Sequence, residues 1–199
     1  MSQRLFWAIL LNEDLKKEIL FYREQIKKLD RRNILKEAGE PHITVLFLGS
    51  QPEGKLKELI ETGETIKKEF SSFEIYFNEL EYGPSIPYRL IWLKGENNKN
   101  LELLKEKLEK SLLERNINFP QEKRKIIPHI TLFRIKKDFF FSKPKNKRIE
   151  KIIPLKNIKK PQFSLKVNCF YLMRSILKSE GAHYFPIKEF CFNKLNGTS

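Results

Sequence analysis

The chain has 199 residues, with 39 Lys and Arg against 25 Asp and Glu, a formal net charge of +14. Hydrophobic residues make up 40% and include 16 Phe, enough for a packed core, which excludes a disordered or collagen-like chain. The positive balance favours an anionic partner, nucleic acid first, although a lysine-rich proteome charges its proteins in the same way.

Leu5–Leu11 is a short apolar run without polar alternation and is expected to form a buried strand, being too short for a signal or a spanning helix. No other apolar run is long enough to cross a membrane, so no membrane partner is expected. Asn12 can cap a helix whose apolar stripe is Leu15, Ile19, Tyr22, Ile26 and Leu29. Gly39 and Pro41 break that pattern before a strand His42–Leu48, which is expected to stop at Gly49. Pro52 opens a second helix carrying Leu56, Leu59, Ile60, Ile66 and Phe70.

Phe73–Leu80 and Leu90–Leu93 are expected strands, separated by the turn residues Tyr82-Gly83-Pro84 and Pro87. Asn97 or Asn98 caps a helix bearing Leu101, Leu104, Leu108 and Leu112, and a strand Ile127–Ile135 follows. Lys136–Lys151 is basic and proline-interrupted and is expected to be a loop with at most a short strand. Phe163–Leu177 and Tyr184–Phe192 are expected as two late strands joined through Ser179-Glu180-Gly181. Residues 1–193 are expected as one bilobal domain and 194–199 as a tail. Cys169 and Cys191 form no CxxC pair and no ligand-spaced cluster, so no disulfide framework is expected and a reducing cytoplasm is assumed.

The tetrapeptide Pro-His-Ile-Thr occurs twice, as Pro41–Thr44 and Pro128–Thr131, in a chain with only three histidines. It closes a longer repeat. Arg4-Leu5-Phe6-Trp7, a helix and the first copy match Arg89-Leu90-Ile91-Trp92, a helix and the second. Two pseudo-symmetric lobes follow, each with a strand–helix–strand unit, and both tryptophans are expected at equivalent places.

On a strand, side chains alternate faces, so His42 and Thr44 share one face and His129 and Thr131 another. Ile43, Val45 and Phe47 are expected on the opposite, core face; the same is expected of Ile130, Leu132 and Ile135 only approximately, since a bulge can intervene. If the lobes face each other, two imidazoles and two hydroxyls line one cleft. Two histidines flanking a phosphodiester suit in-line displacement: one takes a proton from the nucleophile and the other gives one to the leaving oxygen. The threonine hydroxyls can donate to the non-bridging oxygens. A metal site needs at least three convergent ligands, and His183 with two cysteines lacks the spacing, so neither metal nor cofactor is expected. Phe47, Tyr88 and Tyr184 are aromatic candidates for stacking on a base, with core packing the alternative for Phe47.

Together these features resemble the two-histidine (2H) phosphoesterase superfamily, and within it the RNA 2′,3′-cyclic phosphodiesterases once named 2′-5′ RNA ligases. The resemblance is carried by His42-Ile43-Thr44-Val45, His129-Ile130-Thr131-Leu132, Arg4–Ile9, Phe47-Leu48-Gly49, Arg89–Leu93 and the late strand pair. Leu10 and Pro41 stand where that family often has Asp and a non-proline residue.

The resemblance implies an α+β fold, a bilobal pseudo-symmetric duplication with two antiparallel sheets facing a central cleft and helices outside. It implies opening of a 2′,3′-cyclic phosphate on RNA or a nucleotide to a 2′-phosphate, with no obligate protein partner. By position, His42 would be the proton donor, His129 the proton acceptor, Thr44 and Thr131 phosphate ligands, and Arg134 an added positive charge. The alternatives are a 2′-5′ RNA ligase or 2′-5′ oligonucleotide phosphodiesterase using the same site, and a non-catalytic basic RNA-binding module.

Overall fold

The structure is a computed structural model and describes residues 2–85, 87–122, 124–136, 139, 146–178 and 181–193. Nine strands form two antiparallel sheets among these residues. The first sheet has the order β3-β1-β8-β9, built from β1 (Ser2–Leu10), β3 (His42–Pro52), β8 (Cys169–Lys178) and β9 (Gly181–Cys191). The second has the order β2-β6-β5-β4-β7, from β2 (Leu35–Glu37), β4 (Phe73–Gly83), β5 (Leu90–Gly95), β6 (His129–Ile135) and β7 (Phe163–Val167). The helices are α1 (Glu13–Leu29), α2 (Leu56–Ile66), α3 (Lys99–Glu114) and α4 (Asn146–Ile152).

The two long repeat helices start alike. Asn12 accepts the Leu15 N–H at 2.9 Å and Asn98 accepts the Leu101 N–H at 3.0 Å, each satisfying an N–H that the helix itself leaves unpaired. Leu15, Ile19 and Ile26 of α1 and Leu101, Leu104, Leu108 and Leu112 of α3 are buried in one continuous core with the inner faces of both sheets. β1 lacks polar alternation because both its faces are covered. Leu5, Trp7 and Ile9 enter the main core, while Phe6 and Ala8 form a smaller cluster with Met173 on the opposite face.

The duplication is visible in the pairing. β1 pairs β3 around α1 and β5 pairs β6 around α3, with Ala8 opposite Thr44 and Trp92 opposite Thr131. This register makes Ala8, not Trp7, the counterpart of Trp92. The expected equivalence of the two tryptophans is therefore one residue out, which on a strand means opposite faces. Trp7 is fully buried in the core, as is Ile91, its true counterpart.

Several boundaries differ from the sequence expectation. β3 does not stop at Gly49. Leu48 is left unpaired between Leu5↔Gly49 and Phe6↔Phe47, and Gly49 takes φ +72, so a bulge carries the strand on to Pro52. The expected strand Phe163–Leu177 is two strands broken at Asn168, β7 in the second sheet and β8 in the first, a switch that an unbroken apolar pattern cannot signal. β2, three residues long, has no periodicity to read. Within the expected basic loop, residues 146–151 belong to α4; residues 137, 138 and 140–145 of that segment, Ser179 and Glu180 of the expected hairpin connection, and the expected tail 194–199 lie outside the described residues.

The cysteines also depart from expectation. Cys169 and Cys191 are directly opposite in the β8–β9 register and form a disulfide. Cysteine count and spacing could not show that register, so they are no guide here to redox compartment. Among the described residues, no helix is long and apolar enough to cross a membrane.

Candidate active site

One cavity of about 590 Å³ lies between the sheets and is lined by His42, Thr44, His129, Thr131 and Arg134. The two halves of the repeat thus bring all five sequence-predicted site residues to one place. Each His-x-Thr pair sits at the start of its strand, and both histidines and both threonines are half-buried while Ile43 and Ile130 between them are fully buried.

The rings are held the same way. His42 Nδ1 donates to the Glu40 carbonyl at 2.8 Å and His129 Nδ1 donates to the Ile127 carbonyl at 2.8 Å. A carbonyl can only accept, so Nδ1 carries the hydrogen in both rings and Nε2 is the atom left to exchange a proton. In each case the accepting residue precedes a proline, Pro41 or Pro128, and a residue before proline is confined to extended backbone. The repeated Pro-His therefore orients the ring as well as marking the motif.

Aromatic neighbours complete the holding. The Phe6 and Tyr184 rings lie 5.2 Å and 4.7 Å from the His42 ring, and the Trp92 ring lies 4.5 Å from His129. Trp92 is itself pressed over Gly83, where an added Cβ would come within 2.2 Å of the indole, and its Nε1 donates to Glu81 at 3.3 Å. Gly83→Ala is expected to cost about 1–3 kcal/mol of stability by overpacking and to lower kcat by displacing His129. Thermal unfolding and turnover measured on the same variant check both.

β-bulges set which side chains follow the histidines into the cleft. In β6 the register jumps from Trp92↔Thr131 to Ile91↔Phe133, and in β3 from Ala8↔Thr44 to Trp7↔Leu46. Each jump reverses the alternation. Arg134, an odd number of residues past Thr131, therefore reaches the same side as Thr131, with Phe133 and Ile135 buried behind it. The matching jump brings Phe47 into the cavity and sends Leu46 and Leu48 into the core, which corrects the expectation that Phe47 faces the core. Tyr184 lines the cavity, whereas Tyr88 lies against Tyr82 at 5.3 Å and is not among the lining residues.

Sequence reasoning missed Arg4, Ser175 and Lys178, which also line the cavity. Arg4 lies over the Phe47 ring, 4.7 Å from its centroid. Arg4 lies on β1, which pairs with the first His-x-Thr strand, and Ser175 and Lys178 lie on β8, one strand further along the same sheet.

The electrostatics of the two rings differ. Burial pushes both histidines below the ordinary 6.5, and each Nδ1 hydrogen bond opposes it. His42 is lowered further by the charges of His129 and Arg134, whereas Glu122 supports the protonated form of His129. The two rings are thus electrostatically coupled across one cavity. Among the described residues, the one group with metal-ligand proximity is Cys169, Glu189 and Cys191, whose two sulfurs are bonded to each other.

Comparison with known proteins agrees with this geometry. Residues 9–93 match the LigT-like phosphoesterase family. An RNA 2′,3′-cyclic phosphodiesterase of Methanocaldococcus jannaschii is 36% identical over 188 residues, covering 94% of this chain and 99% of the relative. The chain belongs to the RNA 2′,3′-cyclic phosphodiesterases of the LigT-like phosphoesterase family. Another such phosphodiesterase, from Thermotoga maritima, is 28% identical over 187 residues, 94% of either chain.

LigT-like folds superpose on nearly the whole protein. A Thermus thermophilus structure matches with TM-score 0.77 at 23% identity, over 96% of this chain and 99% of that one. E. coli LigT, crystallised with 3′-AMP, matches with TM-score 0.71 at 23% identity, over 98% of this chain and 100% of that one. As a LigT-like phosphoesterase this protein is an enzyme acting on phosphodiesters, and the reading as a non-catalytic RNA-binding module falls away.

Proposed function

We propose that the protein is a metal-independent RNA 2′,3′-cyclic phosphodiesterase that opens the cyclic phosphate to a 2′-phosphate by two-histidine acid–base catalysis, in the cytoplasm. The observation that carries this reading is the pair of matched Nδ1–carbonyl hydrogen bonds, which leaves two exchangeable Nε2 atoms at one cavity.

In this reaction His129 Nε2 takes a proton from water as the water oxygen bonds to phosphorus. The bond from phosphorus to the 3′-oxygen breaks, and His42 Nε2–H gives its proton to that oxygen. The product carries a 2′-phosphate and a 3′-hydroxyl, and the pair ends with its proton moved from one ring to the other. Thr44 and Thr131 donate to the non-bridging oxygens as charge grows there, and Arg134 supplies positive charge beside them. The acid and base roles follow the family resemblance.

The same site supports a second reading. A cavity of about 690 Å³ on the other side of His129 shares Thr44, Phe47 and Leu90 with the first and is walled by Trp92, Pro84, Pro120, Ile126 and Ile127. That room beside the phosphate would admit a second nucleoside, as cleavage or formation of a 2′-5′ linkage requires.

A 2′,3′-cyclic nucleotide incubated with the protein in EDTA tests the primary reading. The expected product is the 2′-phosphate, formed at an unchanged rate when EDTA is present. No turnover, or turnover abolished by EDTA, contradicts it.

A further inference from the structure

The cleft does not end at Arg134. A second concavity of about 560 Å³ continues from it and shares Gly39, Glu40, Arg134, Gly181, Ala182 and Tyr184 with the histidine cavity. Its walls are the linker from β2 to β3 on one side and the start of β9 on the other. They meet at Gly39, where an added Cβ would lie 2.8 Å from the Ala182 carbonyl and 3.3 Å from the Tyr184 ring.

The residue this extension adds that matters most is Lys36. It lies directly opposite Arg134 in the β2–β6 register, so both project from one face about 5 Å apart. Its side chain runs beside Gly181, with Cε 3.7 Å from where a Cβ there would sit. The carboxylates in the same groove are already engaged from α1. Glu37 pairs with Arg23 at 2.9 Å and Lys27 at 2.6 Å, and Glu40 pairs with Lys16 at 3.1 Å. Among the described residues, neither Lys36 nor Arg134 has a carboxylate within ion-pair distance. Like charges directly opposite on a sheet face repel, an arrangement that an anion seated between them would relieve. At the other end of the cleft the walls are mostly apolar, suited to a base, with Arg124 and Lys125 as the cations of that arm beside Glu122.

We propose that this groove holds the next phosphodiester upstream of the cyclic end, with Lys36 as its ligand beside Arg134. The enzyme then prefers an RNA chain terminus to a free cyclic mononucleotide. The inference rests on the phosphodiesterase reading above and names the part of the substrate which that reading leaves open.

The test compares a dinucleotide ending in a 2′,3′-cyclic phosphate, the same dinucleotide with a neutral methylphosphonate linkage, and the cyclic mononucleotide. Lys36→Glu and the milder Lys36→Gln are expected to raise KM for the charged dinucleotide about five- to tenfold. KM for the mononucleotide and the methylphosphonate should stay unchanged. A purely structural role for Lys36 would move all three substrates alike and overturns the proposal, as does no change on any of them. A KM effect of Arg124→Glu and Lys125→Glu on the charged dinucleotide, in place of the Lys36 effect, also overturns it by placing the chain in the opposite arm.

Binding of the dinucleotide 2′-phosphate against the mononucleotide 2′-phosphate, by calorimetry, reads the groove independently of turnover. Wild type that binds the dinucleotide product more tightly, with the advantage lost in Lys36→Glu, supports the groove even if neither cyclic substrate is hydrolysed. That combination contradicts the phosphodiesterase reading alone.

Discussion

His42→Ala and His129→Ala are each expected to lower kcat by about 10²- to 10⁴-fold, the contribution of one positioned proton-transfer group. KM should change little, because neither ring needs to hold the ground-state phosphate tightly. The double variant should lose far less than the product of the two single losses, since a proton-transfer pair works as a unit.

The variants are also expected to differ in one respect. A cyclic substrate with sulfur in place of the 3′-bridging oxygen has a leaving group that needs no proton. It should restore much of the rate to His42→Ala and little to His129→Ala. Rescue of His129→Ala instead would exchange the roles of the two histidines, while leaving both in the site.

Thr44→Val and Thr131→Val are expected to lower kcat by about a hundredfold each, within the range seen when one donor to a developing oxyanion is removed. Valine keeps the branched shape that a half-buried strand position favours, so the fold should be undisturbed and the loss can be assigned to the hydroxyl. If the hydroxyls bind ground state and transition state equally, KM will rise with kcat unchanged. Steady-state kinetics on a mononucleotide substrate separates the two results.

Much of the site was legible from the sequence because the chemistry lies in short local patterns. His-x-Thr on a strand shares a face whatever the surroundings, and two copies in a chain with three histidines point to a pair. The helices were legible for the same reason, through Asn12 and the leucine spacing of α3.

What escaped was non-local. The bulges that bring Phe47 and Arg134 to the cleft depend on how β1 and β5 pair with their partners, not on β3 and β6 alone. Trp7 and Trp92 looked equivalent by their place in the repeat, yet a one-residue difference in register separates a core side chain from one that packs on the His129 ring. The Cys169–Cys191 bond, the switch of sheets at Asn168 and the short β2 strand that carries Lys36 likewise exist only once the sheets are assembled.

The pH dependence of kcat/KM tests the central claim most directly, because it reports the ionisation of the free cleft. With both histidines held below 6.5, the activity of the wild type should rise with pH as the base loses its proton. It should fall again as the acid loses its own, with the maximum on the acidic side of 6.5. Removing His129 abolishes the rising limb. Removing His42 abolishes the falling limb. Profiles that keep both limbs in either single variant would contradict a two-histidine mechanism.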